Sequence, residues 1–131
     1  MEKFQAFRCF REEKKVYGKL TESLRYGENP HQQGKLYSIS NNLGEKIHGK
    51  TLSYNNYNDI YTALTIMKAL KKKTGTVIIK HANPCGVSQN KDPLTSFKNA
   101  YACDPLSAFG GVIACNYKIN KKIALEITKN F

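Results

Sequence analysis

Apolar residues recur along this chain with two different periods, and the change of period separates expected strands from expected helices. Residues 35–39 alternate in the manner of a half-buried strand, and a shorter strand is expected within 15–20 of a basic, irregular opening stretch. Residues 24–32 carry the turn chemistry of a structured loop, with Gly27 and Asn29-Pro30. A turn follows at 41–44, and residues 49–54 return toward Asn55-Asn56. Helical spacing then begins. Ile60, Ala63, Leu64, Met67 and Leu70 share one face, with Asn58 or Asp59 as the expected cap. Lysines 71–73 fall where the helix dipole favours cations, and Gly75 is the expected stop.

Residues 76–79 are apolar without alternation, as in a strand covered on both faces. Lys80-His81 closes that strand, and Pro84 and Gly86 are expected to turn the chain away. Asp92-Pro93 caps a helix bearing Leu94, Phe97 and Tyr101 on one face. A second loop rich in special residues spans 104–111, and a second apolar strand spans 112–115. Asn120 caps a last helix carrying Ile123, Ala124, Ile127 and Phe131. Strands and helices in this order predict a layered α/β fold. The last helix runs to residue 131 without a stop signal, so a truncated chain is expected.

Composition adds a bias in charge. Lys and Arg number 21 against 10 Asp and Glu, a net charge of +11. This suits an anionic partner: nucleic acid, a phosphorylated metabolite or an acidic membrane surface. The lysines form separate clusters, and AT-rich coding would also enrich Lys and Asn, so charge alone selects none of these. No apolar stretch has the length of a membrane span, and the first residues contain no signal-peptide core. The four cysteines show no paired spacing, which predicts reduced thiols and a cytoplasmic protein.

The chemistry concentrates at Lys80-His81, at the carboxyl end of a buried strand, where α/β sheets bind their ligands. Imidazole exchanges protons near neutral pH, and a partly desolvated lysine can stabilise a developing oxyanion. A solvated Lys-His pair at a strand end is the plainer alternative. The zinc deaminase signature fails, because Asn83 stands where its glutamate is needed and Ser88 where its second cysteine is needed. No metal is therefore expected. Cys85 is either a nucleophile beside His81 or a small packed residue. Gly110-Gly111 either admits a ligand to the backbone or makes a tight strand entry. Arg25-Tyr26 either offers a fork of donors beside a stacking ring, suited to phosphate or an aromatic ring, or leaves Arg25 as an ordinary surface residue. A basic nucleic-acid-binding module is the alternative class, supported only by the general charge.

Four segments occur in order: Leu24-Arg25-Tyr26-Gly27-Glu28-Asn29-Pro30-His31-Gln32, Leu52-Ser53-Tyr54-Asn55-Asn56, Lys80-His81-Ala82-Asn83-Pro84-Cys85-Gly86 and Asp104-Pro105-Leu106-Ser107-Ala108-Phe109-Gly110-Gly111. Together they resemble the AICAR transformylase domain of the bifunctional purine biosynthesis family of bacteria. The resemblance covers 23–131, the amino-terminal part of that domain, after a leading segment 1–22. It implies a cytidine-deaminase-like α/β fold without catalytic zinc. It implies formyl transfer from 10-formyltetrahydrofolate to aminoimidazole carboxamide ribonucleotide (AICAR), in a cytoplasmic homodimer with no membrane or specific nucleic-acid partner. By the same resemblance, His81 is the proton acceptor and Lys80 stabilises the transition state. Arg25 and Tyr26 contact the nucleotide across a dimer interface, Asn56 is a site residue, and the Gly110 backbone lies against the nucleotide. A part of such a domain is expected to be inactive alone, and to self-associate through sheet surface near 77–79 and 112–115.

Overall fold

The computed structural model describes residues 17–38, 44–70 and 74–131. Its elements are β1 (Lys19–Ser23), β2 (Lys35–Ser38), α1 (Tyr54–Ala69), β3 (Gly75–Lys80), β4 (Asn83–Gln89), α2 (Pro93–Cys103), α3 (Pro105–Ala108), β5 (Val112–Cys115) and α4 (Lys121–Thr128). β1 and β2 form an antiparallel pair, and β4-β3-β5 form a second sheet with β3 in the middle, antiparallel to both neighbours. The mixed α/β class is as expected. The strand anticipated within 15–20 starts later, at Lys19, and residues 15–16 lie outside the described ones. The turn at 41–44 and lysines 71–73 fall largely or wholly outside them too.

The absence of alternation in β3 has a direct cause: helices cover both of its faces. Ile78 packs against Phe97, Ala100 and Ala108 on one side, with Ile127 and Phe131 closing the margin. Val77 and Ile79 pack on the other side against Ala63, with Ile66, Met67 and Leu70 around them. All three strand residues have no solvent exposure, so the sheet surface near 77–79 is covered rather than bare. Each such side chain contributes about 1.5–3 kcal/mol by leaving water. The result is three layers: α1, the sheet, and α2 with α4.

α1 begins earlier than its apolar stripe suggests. Ser53, not Asn58 or Asp59, is the cap. Its hydroxyl accepts from the Asn56 amide at 3.4 Å, and Asn56 Oδ1 accepts from the Ser53 amide at 3.0 Å. This reciprocal box satisfies two amide donors that the helix start would leave unpaired. The inward stripe is Ala63, Ile66, Met67 and Leu70. Leu64 is 46% exposed, because it lies about 100° round the helix from Ala63. The helix also ends before Gly75: Leu70 caps it, and Gly75 instead opens β3. A Cβ on Gly75 would come within 2.7 Å of Leu70 Cδ1, so glycine here permits close packing rather than a helix stop.

Tyr57 ties α1 to β1 by donating to Glu22 Oε2 at 2.7 Å. Burial, and then Glu22, push its phenol up to about 12. Its unfolded value is near 10, so folding favours the neutral phenol. That stabilisation is whole below about pH 10 and is lost as pH rises through about 12. Thermal melts across this window should show falling stability, and Tyr57→Phe should flatten the fall. An unchanged alkaline slope in Tyr57→Phe would contradict the assignment. Tyr117 is also pushed up by burial and bonds the buried Thr76 hydroxyl at 2.7 Å, so part of the slope should persist.

Candidate active site

Lys80 ends β3 and His81 follows it, as expected, but the turn is made differently. Pro84 and Gly86 do not turn the chain; they lie within β4. Lys80 pairs with Asn83, so the loop consists of His81 and Ala82 alone, with φ of 52° and 58°. Positive φ at both positions is the pattern of the tightest hairpin turns, which normally recruit Asn and Gly. A non-glycine residue held there costs on the order of 1–3 kcal/mol. Cys85 is the extra residue of a bulge between Ile78 and Ile79, and Pro84 is tolerated because β4 is an edge strand.

The pair at this tip is held from two sides. Lys80 Nζ donates to the Phe109 carbonyl at 2.8 Å, which points the ammonium at the loop after α3. That loop reaches Gly110, whose φ is 73° and whose Cα faces open space. Gly111 runs so close to β3 that a Cβ would lie 2.7 Å from the Ile79 carbonyl. The two glycines therefore divide the alternatives: Gly111 serves a tight strand entry, and Gly110 leaves backbone open beside Lys80. On the other side, the Ala82 amide donates to Asp59 Oδ1 at 2.7 Å. Asn83 Nδ2 donates to the His81 carbonyl at 2.9 Å. His81 itself is exposed.

Arg25, Tyr26 and Asn56 gather at the amino end of α1. The Arg25 amide donates to the Leu52 carbonyl at 2.9 Å, and the Tyr54 amide to the Tyr26 carbonyl at 3.2 Å. The loop is pinned further where Asn55 Nδ2 donates to the Glu28 carbonyl at 3.0 Å. The Arg25 guanidinium lies 4.9 Å from the centre of the Tyr26 ring. A hydrogen bond with Ser53, and then Arg25, hold the Tyr26 phenol below its ordinary value. Arg25 also lines a cavity of about 330 Å³ with His31 and Lys35. Asn56 is already engaged through its Oδ1 in the helix cap, so only its amide donors remain for a ligand.

Cys85 is half-buried and packs against the Ile78 cluster. Burial, and then Asp104, push its thiol up, away from the thiolate a nucleophile needs. The packed reading therefore fits it better. Asp59 was expected only as a cap. It is a buried carboxylate in the second turn of α1, three residues from Asn56, and so joins both groups of residues to one helix end. Its sequence signal was an aspartate inside a helical stripe, where such residues are disfavoured.

Asn83 and Ser88 both lie in β4, so the donors a deaminase zinc requires are missing from this hairpin. Among the described residues no group of three or more His, Cys, Asp or Glu converges. Elemental analysis of protein purified without chelator should find well under one zinc per chain. One zinc per chain, lost on Cys85→Ser, would reverse this expectation.

The chain is thus a layered α/β protein with an ammonium and an imidazole on a strained hairpin tip and an arginine–tyrosine pair at the start of α1. From residue 1 to 131 the chain matches the family described as the AICARFT/IMPCHase bienzyme, and it belongs to that family. It is similar to the bifunctional purine biosynthesis protein PurH of Bradyrhizobium diazoefficiens, 45% identical over 121 residues covering 87% of this chain and 23% of that protein. It is also similar to PurH of Acetivibrio thermocellus, 45% identical over 116 residues, with 84% and 22% covered. PurH of Caldicellulosiruptor saccharolyticus is 39% identical over 142 aligned positions, with 98% and 28% covered. The chain thus spans about a quarter of the length of these relatives.

Proposed function

We propose that this chain supplies part of an AICAR transformylase site, at which a formyl group passes from 10-formyltetrahydrofolate to the amine of AICAR. The observation that carries the reading is the Lys80–His81 hairpin tip, with Lys80 anchored beside the open Gly110 backbone. The amine is a weak nucleophile, because its electrons delocalise into the ring and the carboxamide. Its nitrogen attacks the formyl carbon while His81 takes the proton it sheds. Lys80 stabilises the tetrahedral oxyanion. The bond from that carbon to the folate nitrogen then breaks, and the proton returns to the leaving nitrogen. No metal takes part in this scheme.

Arg25 and Tyr26 are held by Leu52 and Ser53 rather than by the hairpin, which suits action on the nucleotide of a partner subunit in a homodimer. The Arg25 cavity, with Lys35 beside it, suits an anionic group. The helix–sheet–helix layering supports the finer cytidine-deaminase-like fold, and the free thiols of Cys85, Cys103 and Cys115 suit the cytoplasm. Among the described residues no helix is long and apolar enough to cross a membrane.

The test is a graft, in which this chain replaces the matching segment of a full-length relative. The graft should release tetrahydrofolate only when both AICAR and formyl donor are present. A folded graft that binds AICAR yet transfers no formyl group would overturn the reading.

A further inference from the structure

We propose that Asp59 is the positioning residue of this site: its buried carboxylate holds the His81–Ala82 turn in its strained form, and so aims Lys80 and His81. This rests on the reading of those two residues as the reacting pair. The turn has a conformation that neither residue prefers, with φ of 52° and 58° and no glycine to relieve it. Such strain persists only where the surroundings over-determine it. From within the hairpin, Asn83 Nδ2 donates to the His81 carbonyl at 2.9 Å, which leaves the Ala82 amide to be held from outside.

Asp59 supplies the missing constraint. Its Oδ1 accepts from the Ala82 amide at 2.7 Å, within the range of a charge-assisted bond. It is 9% exposed, and a carboxylate is costly to bury without a specific partner. Capping does not explain it, since Ser53 and Asn56 close the helix start. Helix propensity does not explain it either, since aspartate is a poor interior residue. The position is explained by what it reaches across to: the tip of another element, 23 residues away in sequence. The first two turns of α1 thereby connect the Asn56 region to the hairpin, and the reacting pair is set by the helix as well as by the sheet.

If the carboxylate is lost, the turn is free to relax and His81 moves off its line. A misplacement of about 1 Å can cost on the order of 10²-fold in rate. Asparagine at 59 can still accept from the Ala82 amide, so it should retain most of the geometry. Glycine at 82 removes the strain the bond opposes, so it should soften the loss.

The first arm uses this chain by NMR. In the wild type, the Ala82 amide should exchange far more slowly than expected for a hairpin tip, and the carbon shifts of His81 and Ala82 should report positive φ. Asp59→Ala should speed that exchange by about 10- to 100-fold and move those shifts, while Asp59→Asn should change them little. If Asp59→Ala does not fold, wild-type protection still decides: an unprotected Ala82 amide means the bond is not made, and the proposal fails. The second arm uses the graft. Asp59→Ala should lower kcat by about tenfold or more with KM within about twofold, Asp59→Asn should restore most of it, and adding Ala82→Gly to Asp59→Ala should recover part. A folded Asp59→Ala graft with unchanged kcat overturns the positioning role. If instead His81→Ala turns over normally, the reading of the reacting pair fails, and the NMR arm still reports on the turn independently.

Discussion

His81→Ala in the graft is expected to lower formyl-transfer kcat by about 10²-fold or more, and Lys80→Ala by a comparable factor. A positioned general base contributes about 10²–10⁴-fold and an oxyanion donor about 10²–10³-fold. Both groups stand on one short tip, and in the proposed scheme their contributions arise in the transition state rather than on binding. KM for AICAR should therefore change less than kcat. Loss of either should also remove most of the benefit of the other, so the double variant should fall well short of the product of the singles. Lys80→Ala has one further consequence. It releases the Phe109 carbonyl, bonded at 2.8 Å, and so loosens the loop that leads to Gly110. Lys80→Met keeps the length of the stem without the charge and separates these effects: restored KM with kcat still low assigns the loss to charge. Near-wild-type turnover in both His81→Ala and Lys80→Ala would remove these residues from the chemistry.

Gly86→Ala should be the most destabilising single methyl addition among the described glycines. Gly86 lies in β4 directly beneath α2, where an added Cβ would be driven into the Ala100 carbonyl, with Cys103 Cβ 3.2 Å away. Backbone faces backbone here, so no flexible side chain can yield. Overpacking commonly costs about 1–3 kcal/mol, and this rigid contact belongs at or above the upper end. For a domain of this size that lowers Tm by on the order of 10 °C. The loss should extend to the hairpin, because β4 carries the far side of the His81–Ala82 turn. Gly110→Ala provides the contrast. It adds its methyl into open space and is charged only for its φ of 73°, roughly 1–2 kcal/mol. Melting curves of the two variants test the difference, and a Gly86→Ala protein melting within a degree or two of wild type would show that α2 stands off β4.

Much of this protein was determined locally, and those parts could be read from the sequence. Asp92-Pro93 and Asn120 cap α2 and α4 because a side-chain oxygen meets an amide three residues on, a contact that needs no distant partner. The unbroken apolar run of β3 required cover on both faces, and α1 and α2 provide it. Lys80-His81 had to fall at a strand end once β3 was recognised. The tertiary structure decided what depended on partners far along the chain. The start of α1 is local too, in the Ser53–Asn56 box, but apolar spacing placed it too late because both residues are polar and carry no periodic signal. Pro84 and Gly86 look like turn residues, yet the antiparallel pairing of β3 with β4 takes them into a strand and forces the bend onto His81 and Ala82. That conformation opposes the intrinsic preference of both residues. Asp59, on a helix that precedes β3, accepts a hydrogen bond from the Ala82 amide of that turn, and although an aspartate inside a helical stripe stands out locally, nothing local names so distant a partner.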